Sequence, residues 1–515
     1  MPPSIPILTP AESAAWDRRA VEQGIALETL MDAAGRGTAA ILLDRFAHAA
    51  RRGVLVACGP GHNGGDGWVL ARALHALGVP VFVAALPPSA PLAQKVAGVA
   101  RGAGVREVPP DGPCPQVGLL VDALLGTGAT GAPKGAVAQL LERLHDLPLP
   151  ILAIDGPTGL DLGTGLLHGA PRADVTVTFG GLRRGHLLAR DEVGDLVVVD
   201  IGHPPHEPGL PLLVTDDQAP WLPPFKADAH KGDRGRVVCV GGAPGMSGAL
   251  RLSARAAFAA GAGLVFTLSP AESATLIAGA EPDVQARTWE GVASRELRVL
   301  LDKADTLVIG PGLGRSADTR TQVRALLASA STSVVLDADA LIAFTGAVPV
   351  LRSPLATRNA VLTPHQGEFR ALFPAHAAIA EQDPWGAAVA AAKEAGAVVL
   401  LKGVPTVIAA PDGRSLTVAA GNPGLATGGS GDVLSGLIGA FLAQGLEPLR
   451  AAALGAQALG AAGDLAARRT SARTMRPMDV VAAFPDLWRA WSLMGNGRGG
   501  VRAPVLAELE RPRAV

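Results

Sequence analysis

The sequence predicts an α/β protein built as two layered units. Three observations carry that reading. Short apolar, β-branched runs alternate with helix-period segments along most of the chain, the pattern of a largely parallel sheet covered by helices. The runs repeatedly end in Gly-rich turns that carry a carboxylate, amide or hydroxyl. A proline-rich stretch at 201–227 with little periodicity separates two such series, and 515 residues are enough for two or three cores. The boundary falls near Asp216–Gln218, giving units 1–217 and 218–490. Beyond about Arg489 the chain is rich in Gly and Arg, and 491–515 reads as a loose tail.

In the first series, Thr9-Pro-Ala-Glu12 forms a capping box with Pro at the first helical position, so a helix is expected to about Glu22. A second helix is expected near Leu27–Asp44, then a central strand at Val54–Ala57. Cys58-Gly-Pro-Gly-His-Asn-Gly-Gly-Asp-Gly67 reads as a Gly-rich loop before a helix over Trp68–Leu77. It matches neither G-x-G-x-x-G nor a Walker A loop, and a tight turn is the plainer reading. Two further strands end in Asp122 and Asp155, each followed by a Gly-rich segment. In a parallel sheet the strand C-termini share one edge, where ligands bind. Asn63, Asp122, Asp155 and Thr158 are expected to converge there as an oxygen-rich set suited to a hard cation, and a carboxylate left uncoordinated could transfer protons. Each Asp taken alone reads equally well as a helix cap.

The second series places strands at Arg236–Val240, Thr306–Ile309, Val334–Leu336, Ala360–Leu362, Val398–Leu401 and Thr406–Ala409. Polar groups follow them at Gly310–Gly314, Asp337-Ala-Asp339, Thr363–Glu368 and Lys402-Gly403. Singly these have plain readings: Lys402 as a solvated strand end, His365 as a structural histidine, Asp337 as a cap. The most informative stretch is Gly421-Asn-Pro-Gly-Leu-Ala-Thr-Gly-Gly-Ser-Gly-Asp432, whose five Gly and one Pro exclude a helix. It runs into Val433–Leu442, where Val433, Leu434, Leu437, Ile438, Phe441 and Leu442 fall on one helical face. A Gly-rich loop entering a helix N-terminus binds anions. Asp432 at its mouth is either an N-cap or a general base beside a phosphate, and the surrounding glycines favour the base.

Composition excludes several classes of function. Lys and Arg number 45 against 46 Asp and Glu, a net charge of −1, so nothing draws the chain electrostatically to nucleic acid or acidic membranes. Tyr is absent and aromatics are 3%, which argues against base stacking. Cys58, Cys114 and Cys239 are few and far apart, which fits a reducing cytoplasm better than a disulfide framework or zinc cluster. No signal peptide and no membrane-length apolar run is expected.

Gly428-Gly-Ser-Gly-Asp432 resembles the anion hole and catalytic Asp of ribokinase-like kinases, and the longer Asn422–Asp432 stretch resembles the ADP/ATP-dependent NAD(P)H-hydrate dehydratases. The stretch from about Thr9 to Asp200 resembles the NAD(P)H-hydrate epimerases. The fold implied is a Rossmann-like three-layer unit followed by a ribokinase-like three-layer α/β/α unit. In the first unit the resemblance implies a substrate loop at His62, Asn63, Gly64, Gly65 and Asp66, and a second at Gly126, Thr127, Gly128, Ala129, Thr130, Gly131 and Ala132. It implies potassium ligands at Asn63, Asp122 and Thr158, and Asp155 as the substrate-contacting carboxylate, taken as the proton-transfer group. In the second it implies contacts of Gly312, His365 and Asp432 with a hydrated nicotinamide dinucleotide. Lys402, Gly403, Val404, Pro405, Thr406, Gly428, Gly429, Ser430 and Gly431 are then expected to line the nucleotide site. His62 replaces a usual Asn, Gly156-Pro-Thr158 a usual Ile-Pro-Ser, Gln366 a usual Pro and Ser430 a frequent Met.

The resemblance also implies a chemistry. Hydroxide leaves carbon poorly; once phosphorylated, the hydroxyl is expelled by the ring-nitrogen lone pair. Asp432 is then expected to take the hydroxyl proton, with ADP as phosphoryl donor and Mg²⁺ on its phosphates. By the same resemblance the first unit is expected to interconvert the epimers of NADHX and NADPHX at C6. The alternative is a sugar or hydroxymethylpyrimidine kinase with a non-catalytic N-terminal binding module. Ala/Gly-rich helices suit packing between subunits, so a homo-oligomer is expected.

Overall fold

The computed structural model describes residues 4–289, 295–316, 318–329, 331–493 and 504–512. The chain divides into two units, Pro3–Leu210 with Gly500–Arg511, and Pro211–Gly499. The second therefore begins earlier than the expected 217/218 boundary. The apolar triplet Leu212–Val214 lies inside the proline-rich stretch yet pairs in parallel with Ser415–Val418.

The first unit holds an eight-stranded sheet in the order Val505–Leu509, Asp195–Val199, Val175–Phe179, Ile151–Ile154, Leu119–Ala123, Val54–Cys58, Val81–Ala85, Arg106–Val108. All neighbours are parallel except Val505–Leu509, which runs antiparallel to Asp195–Val199. That strand corrects the expectation of a loose tail throughout 491–515. Residues 494–503 and 513–515 of that tail lie outside the described residues. Val54–Cys58 and Leu119–Ala123 are buried along their whole length, as strands covered on both faces must be. The Thr9 capping box forms as expected and starts the Pro10–Glu22 helix. The second helix runs past the expected end, over Leu27–Ala50. From the central Val54–Cys58 strand the chain fills one side, then crosses to Leu119–Ala123 on the other. The C-terminal ends of these two strands therefore border the crevice where such sheets bind ligands.

The second unit holds ten strands in the order Leu212–Val214, Ser415–Val418, Thr406–Ala409, Val398–Leu401, Ala360–Leu362, Ser333–Leu336, Thr306–Ile309, Arg236–Val240, Leu264–Ser269, Gln285–Thr288. Pairing is parallel except where Thr406–Ala409 meets its two neighbours. The strand order again reverses, here between Arg236–Val240 and Thr306–Ile309. The helix after the Gly-rich stretch, Ser430–Ala443, buries Val433, Leu434, Leu437, Ile438 and Phe441 in the core, as its spacing predicts. At Gly436 an added Cβ would stand 2.1 Å from the Ser253 carbonyl oxygen, so glycine lets this helix lie against Ser247–Ala259. Among the described residues no helix is long and apolar enough to cross a membrane.

Candidate active sites

The first site forms where the central strands of the first unit end. The expected Gly-rich loop is not a loop there: the helix starts at His62 and runs to Ala76. An added Cβ at Gly64 would stand 1.9 Å from the Gly59 oxygen, one at Gly65 2.7 Å from Met31 Cε, and one at Gly67 2.7 Å from Ala123 Cβ. These glycines let the helix press onto its neighbours, and that packing outweighs a propensity cost of about 1 kcal/mol each. Gly64 and Gly65 thus serve close packing. His62, Asn63 and Asp66, by contrast, line a cavity of about 520 Å³ together with Gly126–Ala129, Asp155, Arg183 and His203. Thr130, Gly131 and Ala132 lie outside that lining.

Asp155 has φ 65° and is held by groups around it. One carboxylate oxygen accepts from the Thr127 N–H at 2.7 Å and from the Thr127 hydroxyl. The other accepts from Arg183 Nη2 at 2.9 Å and from the Thr178 hydroxyl at 3.3 Å. The His186 ring accepts the Arg183 N–H at Nδ1, so its Nε2–H donates to the Asp155 carbonyl oxygen at 2.6 Å. Burial pushes the Asp155 carboxyl up, but Arg183, the Thr127 donors and His186 prevail and hold it at about 2. Burial and Arg183 push His186 down to about 4, which keeps it neutral. A carboxylate so fully engaged exchanges protons less readily than a free one. Sequence reading missed Arg183 and His186. Both are buried and follow the Gly180-Gly181 turn that ends the Val175–Phe179 strand; that turn, with the Arg183-Arg184-Gly185-His186 run after it, was the cue.

The expected cation ligands fall into two groups. Asp122 accepts from the Thr158 N–H at 2.7 Å, the Thr158 hydroxyl at 2.7 Å and the Leu124 N–H at 3.1 Å. Burial raises its carboxyl against the pull of those donors. The Thr158 hydroxyl oxygen accepts the Leu125 N–H at 3.0 Å, which ties the pair to the Leu124–Thr127 turn. Asn63 stands across the same turn: an added Cβ at Gly126 would lie 3.0 Å from its amide oxygen and 2.9 Å from Asp155 Oδ2. Among the described residues the buried amide nitrogen of Asn63 has no protein partner.

The second site forms around the Ser430–Ala443 N-terminus. The helix begins two residues before Asp432. Gly429 (φ 102°) turns the chain into it, and an added Cβ there would stand 2.7 Å from Leu252 Cδ1. The Ser430 hydroxyl donates to the carbonyls of Leu425 (2.6 Å) and Thr427 (2.8 Å), pinning the loop. Among the described residues, the N–H groups of Gly428, Gly429, Gly431 and Asp432 meet no protein acceptor. Four free amides at a helix N-terminus make an anion site.

Asp432 is half-buried beside that site. Burial raises its carboxyl to about 7; Asp337, Asp339 and Glu368 add to the rise and Lys402 opposes it. Lys402 is not a solvated strand end: its ammonium donates to Asp337 at 2.9 Å and stands 3.7 Å from Glu368. Nor does Asp337 cap a helix, because its other oxygen accepts from the Ser435 hydroxyl. Asp339 accepts from the Gly314 N–H and from Arg315 at 2.9 and 2.8 Å. Between the two acids Ala338 is held at φ 47°, a left-handed value that costs a non-glycine residue of order 1–3 kcal/mol. His365 caps the Gln366–Leu372 helix, its Nδ1 accepting the Gly367 and Glu368 N–H groups, yet its ring stays largely exposed. Gly312 (φ 59°) lies at the strand-order reversal, its carbonyl accepting the Ala243 N–H. Gly403 and Val404 are exposed, Pro405 is buried and Thr406 is half-buried, its hydroxyl donating to the Gly403 carbonyl at 3.0 Å.

Residues 237–486 match the family described as NAD(P)H-hydrate dehydratase, and residues 27–185 the family described as YjeF-related protein N-terminus. The chain is 38% identical over 478 residues to the bifunctional NAD(P)H-hydrate repair enzyme Nnr of Escherichia coli, covering 90% of this chain and 89% of that protein. It is 36% identical over 539 residues to the protein of the same name from Salinibacter ruber, covering 96% and 97%. A solved ribokinase-like superfamily protein from Enterococcus faecalis is 25% identical with a TM-score of 0.50, covering 56% of this chain and 99% of that one.

Proposed function

The chain belongs to the bifunctional NAD(P)H-hydrate repair enzymes, and from that premise we propose how its two sites divide the work. The protein repairs hydrated nicotinamide dinucleotides: the first unit epimerises NADHX and NADPHX at C6, and the second dehydrates the S epimer to NAD(P)H. Membership across both units displaces the small-molecule kinase with a non-catalytic N-terminal module.

In the second unit Asp432 takes the proton of the C6 hydroxyl as phosphate arrives from ADP, giving AMP. The carrying observation is a carboxyl raised to about 7 beside four free amides, a base matched to neutral pH next to an anion site. Gly428, Gly429, Ser430 and Gly431 surround the transferred phosphoryl, and Gly312 and His365 contact the dinucleotide. Lys402, Gly403, Val404, Pro405 and Thr406 border the nucleotide, with Lys402 acting through Asp337 and Glu368. Mg²⁺ on the diphosphate would neutralise developing charge, held mainly by phosphate oxygens and water. That accords with Asp337 and Asp339 already being engaged by protein donors.

In the first unit the substrate lies in the cavity bordered by His62, Asn63, Asp66 and Gly126–Ala129, with Asp155 facing the nicotinamide. Potassium would be held by Asn63, Asp122 and Thr158 and would supply positive charge for the substrate's phosphates. The residues fit: Asp122 is buried, and Asn63 has a buried amide terminus without a partner, which a flip of the amide would make an oxygen ligand. Three free thiols, two of them buried, suit a cytoplasmic location. We further expect a homo-oligomer, to be checked by native mass.

The test is absorbance at 340 nm after mixing the protein with racemic-at-C6 NADH hydrate, Mg²⁺, K⁺ and either ADP or ATP. Full recovery of NADH beyond the spontaneous epimerisation rate is expected with ADP. Recovery that stops near half removes the epimerase assignment, and no recovery with either nucleotide removes the dehydratase.

A further inference from the structure

The first cavity holds two site carboxylates in opposite surroundings. Asp155 is saturated: four donors from Thr127, Thr178 and Arg183 occupy its two oxygens. Asp66, one turn into the His62–Ala76 helix, lines the same cavity and receives no hydrogen bond among the described residues. Its charged and titratable companions in the cavity are Asp17, His62, Asp155, Arg183 and His203, with His186 behind Asp155. The basic side chains are committed elsewhere. Arg183 is paired with Asp155, and His203 Nε2 lies 2.8 Å from Asp17. Asp66 is thus left half-buried in the cavity, without a donor and with two acidic neighbours, a setting that favours its neutral form. Burial, then Asp155 and Asp17, hold its carboxyl well above the usual range.

Two nearby carboxylates whose environments separate their protonation states are the recurring pattern of an acid paired with a charge stabiliser. We propose that Asp66 is the acid catalyst of the first site, and that Asp155, locked by Arg183, steadies the cation formed on the substrate. This rests on the epimerase reading of that unit. The ring-nitrogen lone pair forms the N1–C6 double bond as the C6–O bond breaks. The oxygen keeps the bonding pair, takes the Asp66 proton and leaves as water. The ring is left as an iminium cation facing the Asp155 carboxylate. Water then adds to the other face of C6, its lone pair forming the new C–O bond while the double-bond pair returns to nitrogen. Its extra proton is released to solvent, from which Asp66 regains its own. No oxidant, reductant or further reactant is required.

The experiment uses the full chain with K⁺, Mg²⁺ and ADP, supplied separately with the R and the S hydrate of NADH. Spontaneous epimerisation is subtracted at each pH. Wild type is expected to convert R hydrate to NADH, with the epimerisation rate falling as pH rises and Asp66 loses its proton. Asp66→Asn is expected to lose about 100-fold or more of that rate, the scale of general acid catalysis, while S hydrate is dehydrated as before. Asp66→Glu is expected to recover part of the rate with a displaced pH profile, which a packing role would not produce. Thermal melts and quenching of tryptophan fluorescence by NADH check that Asp66→Asn folds and binds. Unchanged epimerisation in a folded Asp66→Asn overturns the proposal and spares the epimerase reading. A wild type that fails to exceed the spontaneous rate overturns both.

Discussion

Replacing Arg183 with Met tests whether the first site is organised by one buried ion pair. Arg183 is 3% exposed, and its guanidinium donates to Asp155, to the Thr127 hydroxyl at 3.0 Å and to the Gly181 carbonyl at 3.2 Å. Asp155 is 8% exposed, so without Arg183 its charge stays out of water and unpaired. Breaking a buried pair from one side costs about 3–5 kcal/mol. The depressed Asp155 carboxyl reflects the net of burial against Arg183, the Thr127 donors and His186 together. A fall from 3.8 to about 2 is nearly two units, on the order of 2–3 kcal/mol at about 1.4 kcal/mol per unit. The pH dependence follows in sign. A depressed carboxyl stabilises wild type above the unfolded pKa, and that contribution is lost as pH falls from near 4 through about 2. In Arg183→Met the largest opposing charge is gone and only the Thr127 donors and His186 still oppose burial, so the folded pKa rises and the stabilisation that wild type gains above pH 4 is reduced. The gap between the two proteins should therefore be largest near pH 7 and shrink toward pH 3. Hydrogen exchange in a urea series, read on peptides covering Ile151–Phe179, measures it within the first unit. A gap below about 1 kcal/mol at pH 7, or one that does not change with pH, refutes the reasoning.

Asp432→Asn should abolish dehydration of S hydrate while ADP binding survives. In wild type the rate constant should rise with pH through about 7, since the base must be deprotonated; a flat profile counts against that role. Removing Lys402, which lowers the Asp432 pKa, should move this limb to higher pH in Lys402→Met, whereas a nucleotide contact alone would change only the KM for ADP. Ala338→Gly should raise the urea midpoint of the second unit by the equivalent of about 1 kcal/mol, strain relief at φ 47° exceeding the entropy cost of glycine; a lower midpoint argues against strain. Gly64→Ala should destabilise the first unit by several kcal/mol, because its Cβ would stand 1.9 Å from the Gly59 oxygen, and Gly61→Ala, which meets nothing within 4 Å, by less than about 0.5 kcal/mol. Thermal melts of the two glycine variants decide between packing and flexibility.

The α/β class, most central strands and the clustering of polar groups at strand ends were legible because they depend on local pattern. Val54–Cys58, Thr306–Ile309 and Val398–Leu401 are short apolar runs that water would exclude from any exposed position. The Thr9 capping box and the apolar face over Val433–Leu442 depend on residues within a turn or two of one another. Less was legible where a residue's conformation depends on what approaches it. Gly64, Gly65 and Gly67 read as a flexible loop and form a helix, since neighbouring elements use the missing Cβ. The Val505–Leu509 strand carries weak periodicity and pairs with a strand some 300 residues earlier in the chain.

The site chemistry divides along the same line. Asp155, Asp122 and Asp432 could be singled out from sequence because each sits beside a Gly-rich turn, and the turn is itself a local feature. Their protonation states could not, because these depend on burial and on partners distant in sequence. Arg183 reaches Asp155 from 28 residues away, and Lys402 reaches Asp337 from 65. Coulomb and desolvation energies depend on distance and solvent access in the folded chain, so only folding could make Asp155 a fixed anion and leave Asp66 and Asp432 with raised pKa values.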